Sequence, residues 1–410
     1  MLVQIGRRNA PTGSYQSLSS DAFRSAQARS VAAGRPMFAH LYVENRCHLK
    51  CQHCYETEDT FPHEKEHALS LSDYARIFDE LAGLGVLVVT LSGGEVFLRR
   101  DFLDIVELAR KKRFAVRIYT SGTLIDEEKA DRLKALQVSE IHISVYSPDP
   151  AVHDAFTGIP RSWEKSTRAL KMLRERGLRT VLKANVLTIN VDALEGLLAL
   201  AQDLDADYQL DPTVKPKMNG DTSALRYAVS PEVLAQKVLS RPELHKFVSL
   251  EEAEGICDGQ NPRTGGGGMC AAAMGLITVH ADGGVSPCAL FPVSGGNARS
   301  ERIEDIWKSS PLFETVRNQT FAGMTSCSSC SVQAGCSPCM AYALVEHGDH
   351  RACNASSLQY AQATAEHARL LKRAHEKNSA GHPLPLVGDA TVPDLDPERS
   401  SKRPLSSETG

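Results

Sequence analysis

The sequence lacks several features that would assign it to a common class of protein. No run of about 18 apolar residues occurs, so no membrane-spanning helix is predicted. The first 20 residues lack the apolar core of a signal peptide. Charge of neither sign dominates, since 46 Lys and Arg stand against 50 Asp and Glu, and this balance argues against nucleic acid as the principal partner. We therefore expect a cytoplasmic protein without a membrane or nucleic-acid partner.

Cysteine, in contrast, is plentiful. The 410 residues include 11 cysteines, and in the reducing cytoplasm such residues bind metals or clusters more often than they form disulfides. The hydrophobic content of 42% is ample for a core. The length suits two domains, or one large α/β barrel with an appendage.

A regular alternation of short apolar runs and longer amphipathic runs begins near residue 38, and it predicts βα units around a parallel sheet. Strands are predicted over 38–43, 86–91, 116–120, 140–145, 180–187 and 208–210, and helices over 72–84, 102–112, 126–136, 161–176 and 191–204. Six units are fewer than the eight of a closed barrel. The predicted fold is therefore α/β, a partial (β/α)6 TIM-like barrel.

The remaining segments follow other patterns. A helix is predicted to begin at Ser230-Pro231, a β-hairpin to surround Asp282-Gly283, and a helix to cover 355–376. The glycine-rich stretch 263–268 reads as a loop. The predicted division is a largely disordered segment over 1–35, the barrel over 36–215, a bridging region over 216–268, a small cysteine-rich domain with a hairpin and helices over 269–355, a helix over 356–378 and a disordered tail over 379–410.

Three cysteines, Cys47, Cys51 and Cys54, directly follow the first predicted strand. The carboxyl ends of barrel strands are where active sites form. A zinc site normally takes four ligands, and a disulfide framework needs an even number of cysteines. A [4Fe–4S] cluster is usually held by four thiolates, so three would leave one iron open to a substrate or cofactor.

The spacing Cys47-x3-Cys51-x2-Cys54, with His53 before the last cysteine and Tyr55 after it, resembles the signature of radical S-adenosylmethionine (SAM) enzymes. The resemblance implies that the open iron binds the amino and carboxylate groups of SAM. It also implies that one electron cleaves the sulfonium bond, and that the resulting 5′-deoxyadenosyl radical abstracts hydrogen from a substrate. A structural zinc site or incidental thiols are the alternative.

Further motifs resemble the same family. The segment "LSGGEVFLRRDF" contains Ser92, Gly93, Gly94 and Glu95 and resembles the GGE motif, which holds the SAM methionyl amine; a plain strand–turn–helix is the alternative. In "YTSGTLI", Ser121 replaces the usual Asn of a TNG-type segment.

Candidates on the later strands are fewer. Ser144 matches a serine that reaches the SAM ribose or carboxylate in the family, whereas Tyr146 stands where many relatives carry an acidic residue. By strand alternation Lys183 and Asn185 point toward the same rim, where they contact SAM or substrate or serve the structure. Asp211 directly follows the sixth predicted strand and is expected to line the substrate side of the site.

The other eight cysteines lie between residues 257 and 353. Their pattern, including "CSSCSVQAGCSPC", resembles a SPASM domain, a C-terminal extension that usually holds two auxiliary [4Fe–4S] clusters; a zinc site would space its pairs more widely. The resemblance assigns Cys327, Cys330, Cys336 and Cys353 to an outer cluster, and Cys270, Cys288 and Cys339 to an inner cluster. Cys257 is available as a fourth inner ligand; otherwise the inner cluster has an open iron. Only Ser337 and Pro338 lie between Cys336 and Cys339, whereas the family has three residues between the corresponding cysteines. Three [4Fe–4S] clusters and SAM are the implied cofactors.

The resemblance implies an oxidoreductase that matures a ribosomally synthesised peptide by crosslinking, epimerisation or oxidation. A sulfatase formylglycine maturase is an alternative, although Ala289 stands where those enzymes carry an aspartate base. A small-molecule dehydrogenase or haem-pathway enzyme is another. The non-enzymatic alternative is an iron–sulfur electron carrier. The expected partners are a peptide, a reductase or a flavodoxin- or ferredoxin-type electron donor, and a separate leader-binding protein, because few residues precede the first strand.

Overall fold

The structure, a computed structural model, describes residues 5–6, 21–56, 68–241, 244, 249–260, 269–327 and 329–379. The predicted disorder of 1–35 and 379–410 falls mostly outside these residues, as does the glycine-rich stretch 263–268. In the described part of the chain, no helix has both the length and the apolar character needed to cross a membrane.

Nine strands of the described residues form one open sheet in the order β1-β7-β6-β5-β4-β3-β2-β8-β9. The strands are β1 (Ile5–Gly6), β2 (Phe38–Glu44), β3 (Val88–Gly93), β4 (Ala115–Thr120), β5 (Glu140–Ser144), β6 (Thr180–Asn185), β7 (Asp207–Asp211), β8 (Leu276–Val279) and β9 (Val285–Ser286). Neighbours from β7 to β8 run parallel, and β1 and β9 are antiparallel edges. The six predicted strands of an open α/β barrel are thereby confirmed.

Thirteen α-helices of the described residues accompany the sheet. They are α1 (Asp21–Ala32), α2 (Leu71–Leu84), α3 (Phe102–Lys111), α4 (Glu127–Ala135), α5 (Pro150–Thr157), α6 (Ser162–Glu175), α7 (Leu194–Asp203), α8 (Pro231–Leu234), α9 (Leu250–Cys257), α10 (Ile303–Ser309), α11 (Pro311–Asn318), α12 (Met340–His347) and α13 (Ala355–Ser379). The sequence predicts α2, α3, α4, α6, α7, α8 and α13 but not α5 or α9.

Local sequence explains how these helices begin and end. In α2, Ser70 accepts a hydrogen bond from the backbone N–H of Asp73, whose side chain caps the Ser70 N–H in return. Gly85 then ends the helix with a φ of 95°, a conformation that favours glycine. The apolar face of α2, with Ile77, Phe78 and Leu81, is buried against the sheet.

The β8–β9 hairpin was predicted, but its position was not. β8 pairs in parallel with β2, and Phe38 lies opposite Leu276. The cysteine-rich region thus begins as a seventh parallel strand of the barrel sheet. Strand β2, the first of the barrel, therefore has a hydrogen-bonded strand on each side.

The amino-terminal end of the barrel is closed by an ion-pair network around Glu140. Its carboxylate lies 2.9 Å from Arg117 Nε, 2.5 Å from Arg179 Nη1 and 3.2 Å from His142 Nε2. Burial alone would raise the pKa of Glu140, but His142 and the two guanidinium groups lower it to about 2. The charged network therefore lies at the end of the barrel opposite the cysteine loop.

Candidate active site

The loop with the first three thiols leaves the carboxyl end of β2. Cys47 and Cys54 are exposed and Cys51 is half-buried. The backbone N–H of Cys54 donates to the Cys51 carbonyl at 3.0 Å, which closes a turn between the last two cysteines. Loss of hydration, and then the neighbouring Cys47, raises the pKa of Cys51 to about 12. The thiols are therefore close neighbours that would exchange their protons for iron on loading.

The unpredicted helix α5 holds this loop on one side. The backbone N–H of Lys50 donates to Thr157 O at 2.8 Å, and that of Gln52 to Phe156 O at 3.1 Å. Both acceptors lie in the last turn of α5, where helical carbonyls lack an intrahelical partner. The thiol loop thus donates hydrogen bonds to the last carbonyl groups of α5.

The glycines of the GGE segment hold the other side. Gly94 N–H donates to Glu44 O at 2.7 Å, and Glu95 N–H donates to Arg46 O at 2.8 Å. A Cβ atom at Gly93 would lie 2.0 Å from Glu44 O, and one at Gly94 would lie 2.4 Å from Arg46 O. Only glycine allows the two backbone segments to approach so closely, so the glycines of the motif help to position the thiol loop.

Glu95, predicted to hold the SAM amine, is fully buried and tied to the end of β4. Its carboxylate accepts hydrogen bonds from Thr120 Oγ1 at 2.6 Å, from the Ser121 N–H at 2.8 Å and from the Ser121 hydroxyl. Ser121 Oγ lies 2.9 Å from Thr123 Oγ1, which lies 2.7 Å from His48 Nε2. This chain reaches the thiol loop between its first two cysteines.

Sequence reasoning missed Thr120, Thr123 and His48. The only signal was their position, since each directly neighbours a recognised motif.

His53 and Asn185, both predicted to contact SAM, contact each other. His53 Nε2 lies 3.2 Å from Asn185 Oδ1, and Asn185 Nδ2 donates to Thr213 O at 3.0 Å. The His53 ring lies 4.7 Å from that of Tyr146, whose hydroxyl contacts the Cys51 thiol. Tyr146, left open by the sequence, therefore packs directly against the cysteine loop.

The other predicted residues line the barrel interior. Ser92 is buried and lies opposite Tyr42 in the β2–β3 register. Ser144 lies opposite Lys183 in the β5–β6 register. The Lys183 ammonium stands 3.9 Å from the centre of the Tyr119 ring, a cation–π contact. Ser144 and Lys183 are thus neighbours near the rim.

Asp211 ends β7 and forms an ion pair with Lys215 at 2.7 Å. Its carboxylate also accepts from Thr213 Oγ1 at 2.7 Å. Burial would raise the pKa of Asp211, but the Lys215 charge outweighs it and lowers the pKa to about 2. A fixed negative charge and its counter-charge therefore lie at the barrel mouth.

Tyr55 points from the thiol loop toward the C-terminal region. Its hydroxyl oxygen is 2.8 Å from that of Tyr42, and the Tyr42 hydroxyl donates to Ala289 O at 3.0 Å. Ala289 directly follows Cys288. A hydrogen-bonded path thus leads from the first cysteine group to the second.

The inner group is predicted to consist of three C-terminal thiols, Cys270, Cys288 and Cys339. Loss of hydration, then Cys339 and Cys270, raises the pKa of the Cys288 thiol. The pKa of Cys339 is raised to about 11 by burial, with a further contribution from Cys270. The three thiols are half-buried and lie within electrostatic reach of one another.

Four further thiols line a single small cavity. They are Cys327, Cys330, Cys336 and Cys353, the set predicted for an outer cluster. All 11 cysteines lie in the described part of the chain and none forms a disulfide. Groups of three, three and four free thiols suit [4Fe–4S] clusters, whose thiolate ligands stand around a whole cube. No three His, Cys, Asp or Glu side chains of the described residues converge as around a single ion.

Cys257 is not grouped with the inner thiols. It ends α9 and lines a different cavity together with Ser331, Arg369, Lys372 and Arg373. The last three belong to α13, against which α9 packs. The structure thus favours the alternative in which the inner group has three cysteines.

Two family models match the chain. Residues 41–203 match the radical SAM superfamily, and residues 270–331 match SPASM, an iron–sulfur cluster-binding domain. The first match includes the Cys47–Cys54 loop and the GGE segment. The second includes the inner cysteines Cys270 and Cys288.

Curated relatives align over most of the chain. An AdoMet-dependent heme synthase of Nitratidesulfovibrio vulgaris is 27% identical over 76% of this chain and 89% of its own length. A PqqA peptide cyclase of Granulibacter bethesdensis is 26% identical over 82% of this chain and 91% of its own length.

Among solved structures, Streptococcus suis SuiB bound to its precursor peptide SuiA superposes with a TM-score of 0.59. It is 17% identical, and the match covers 86% of this chain and 84% of that chain. At this identity the likeness shows a shared fold.

Proposed function

Because the chain belongs to the radical SAM superfamily and carries a SPASM-type domain, we propose that it cleaves SAM reductively and abstracts a hydrogen atom from a ribosomally synthesised peptide. It is an enzyme that binds SAM and an iron–sulfur cluster. The peptide and the outcome of the reaction are the proposed parts. Crosslinking, epimerisation and oxidation all begin with the same abstraction.

Cys47, Cys51 and Cys54 would hold the cluster that supplies the electron for SAM cleavage. The other residues of the site would hold SAM and the substrate in a fixed relative position, on which the rate of hydrogen abstraction depends. The Gly94 and Glu95 backbone positions the thiol loop. Ser144 and Lys183, which are neighbours in the β5–β6 register, are proposed as polar partners of SAM, with Lys183 as the cation for its carboxylate.

The C-terminal thiols would hold two auxiliary clusters, which makes three [4Fe–4S] clusters in total. The inner group lies beside β2 of the barrel, since Cys288 directly precedes Ala289, whose carbonyl accepts a hydrogen bond from Tyr42. Auxiliary clusters at this place would pass electrons to or from the substrate. A reductase, flavodoxin or ferredoxin would provide the electron for SAM cleavage, and a separate protein would bind a leader sequence.

The peptide substrate is supported chiefly by the PqqA peptide cyclase, which matches this chain along 91% of its own length. That alignment spans 82% of this chain, too much to be confined to the SAM-binding part. The alignment with the peptide cyclase is therefore long enough to include both cysteine-bearing regions of this chain.

Haem synthesis is the second candidate. It is favoured by the heme synthase relative, which aligns over 76% of this chain at a similar identity. Formylglycine formation is less well supported, because Ala289 has no side-chain base and contributes its carbonyl to Tyr42.

The enzyme reconstituted without oxygen provides the test. With a strong reductant and SAM it is expected to produce 5′-deoxyadenosine, measured by mass spectrometry. Absence of this product from the wild type, with the clusters loaded, would refute the proposed chemistry.

Substrate class is tested separately with short peptides encoded beside the gene, prepared with deuterium at carbon. Transfer of deuterium into 5′-deoxyadenosine identifies a peptide substrate. Deuterium transfer from a labelled haem-precursor tetrapyrrole, and none from peptides, would establish the second candidate instead.

A further inference from the structure

Two tyrosines join the loop of the first cysteine group to the hairpin of the inner group. Tyr42 belongs to β2, Tyr55 follows Cys54, and Ala289 follows Cys288. The Tyr42 hydroxyl lies 2.8 Å from the Tyr55 hydroxyl and donates to the Ala289 carbonyl at 3.0 Å. One hydroxyl thus contacts a neighbour of a ligand in each group.

Tyr42 is held firmly in this position. It is 2% exposed, and its ring stacks on His280 at 5.3 Å with an interplanar angle of 6°. His40 packs on the ring at 5.0 Å. The pair is therefore a fixed hydrogen-bonding unit.

The two ends of the pair are held differently. On the barrel side, the Tyr55 carbonyl accepts from the Met218 N–H at 2.8 Å, so its backbone is anchored independently. On the other side, Ala289 continues from Cys288, whose thiol would be fixed by the inner cluster. Binding of a cluster orders the backbone next to its ligands. The position of the Ala289 carbonyl should therefore depend on loading of the inner group.

We propose that Tyr42 and Tyr55 are positioning residues that couple loading of the inner cysteine group to SAM binding at the first group. The inference rests on the proposed assignment of both groups to clusters. When the Cys288 segment is ordered, the Ala289 carbonyl holds Tyr42, which holds Tyr55 and the end of the thiol loop. Such a coupling is reciprocal, so SAM also stabilises the loaded inner group.

The test is a double-mutant cycle in the full chain, with the SAM dissociation constant measured by equilibrium dialysis without turnover. Cys339→Ala removes an inner ligand that lies on a different segment of the chain from Ala289. In the chain that retains Tyr42 it is expected to weaken SAM binding about fivefold, the ratio for a net hydrogen bond of ~1 kcal/mol. In the Tyr42→Phe background, the same change is expected to have no further effect.

Tyr74→Phe is the matched control. Tyr74 is also fully buried, and its hydroxyl has no hydrogen-bond partner among the described residues. Loss of that hydroxyl should leave the effect of Cys339→Ala on SAM affinity intact. Tyr55→Phe breaks the path at its other end and should reproduce Tyr42→Phe.

Equal weakening by Cys339→Ala in the wild-type and Tyr42→Phe backgrounds would overturn the proposal, as would no weakening in either. If Cys339→Ala does not fold, Tyr42→Phe and Tyr55→Phe alone must each lower SAM affinity about fivefold, with iron content unchanged. Unchanged affinity in both would also overturn it. Failure of the wild type to bind SAM would instead contradict the proposed function.

Discussion

The first cysteine group and the C-terminal groups use the same ligand but are positioned by different means. Cys47, Cys51 and Cys54 lie on an open loop that is fixed by backbone hydrogen bonds to α5 and the GGE segment. The inner C-terminal thiols are half-buried, and the outer four line a cavity between loops and α13. The barrel therefore prepares the first site, whereas clusters would themselves order much of the second region.

This contrast has a functional meaning. A site that admits SAM has to keep one coordination position and its surroundings open, so its loop is held from behind.

The strongest test of the contrast compares Cys51→Ala with Cys330→Ala. Each is expected to lower the iron content from about twelve to about eight per chain, because each removes a ligand of one four-iron cluster. Only Cys51→Ala should abolish 5′-deoxyadenosine formation. Iron analysis and mass spectrometry on anaerobically reconstituted protein measure both. Retained SAM cleavage in Cys51→Ala would contradict the role of the first group.

Glu140→Gln tests whether the two regions depend on one barrel. Replacing the buried carboxylate leaves Arg117 and Arg179 without their shared anion, and is expected to cost about 3 kcal/mol in the free energy of unfolding. Since β8 continues the barrel sheet, both regions should unfold at the same lowered denaturant concentration.

The pH dependence of Glu140→Gln supplies its internal check. Because the folded pKa of Glu140 is lowered to about 2 from an ordinary 4.5, its contribution is complete above pH 4.5 and is lost as the pH falls toward 2. The difference in stability between wild type and variant should therefore shrink over this range. Glu164→Gln, at an exposed ion pair with Arg161, should show little change at any pH. A difference that persists at pH 2 would exclude this explanation.

Gly94→Ala should disturb the first group alone. The added methyl group would meet the Arg46 carbonyl at 2.4 Å and is expected to cost about 1–3 kcal/mol. We expect the loss of about four irons per chain, with the C-terminal clusters retained.

Gly83→Ala in α2 is the control, since no heavy atom lies within 4 Å of the new methyl group. It should stabilise the protein by about 0.5–1 kcal/mol, as measured by denaturant unfolding. Full iron loading of Gly94→Ala would show that the close approach is not required.

Cys257→Ser is expected to have the smallest effect. Because Cys257 lines a separate cavity with Ser331 and α13, iron content should stay at about twelve per chain. The electron paramagnetic resonance spectrum of the reduced protein should also be unchanged. An altered inner-cluster signal would instead make Cys257 the fourth ligand.

Patterns among neighbouring residues predicted those features of the fold that depend on neighbouring residues alone. The six barrel strands and the main helices follow from alternating apolar runs and from caps such as Ser70 and Gly85. The three cysteines near β2 fall at the barrel mouth because parallel strands place their carboxyl ends together.

Contacts between distant segments could not be predicted in this way. The pairing of β8 with β2 joins residues more than two hundred positions apart, and no local pattern identifies such a partner. The hydrogen bonds of the Glu95 carboxylate to Thr120, which ends the next strand, and to Ser121 are not indicated by the GGE motif alone. The Tyr42–Tyr55 contact likewise depends on how two elements meet in space.

The pairing of β8 with β2 also limits how the protein can be shortened. A chain ending before residue 276 would leave the backbone of residues 38–41 without a neighbour on one side. Ala39 and Leu41, which are almost completely buried, would then belong to an apolar edge strand. Unpaired edges of this kind template intermolecular strand addition, so an isolated barrel is expected to self-associate. We therefore expect the last third of the chain to protect the barrel from self-association.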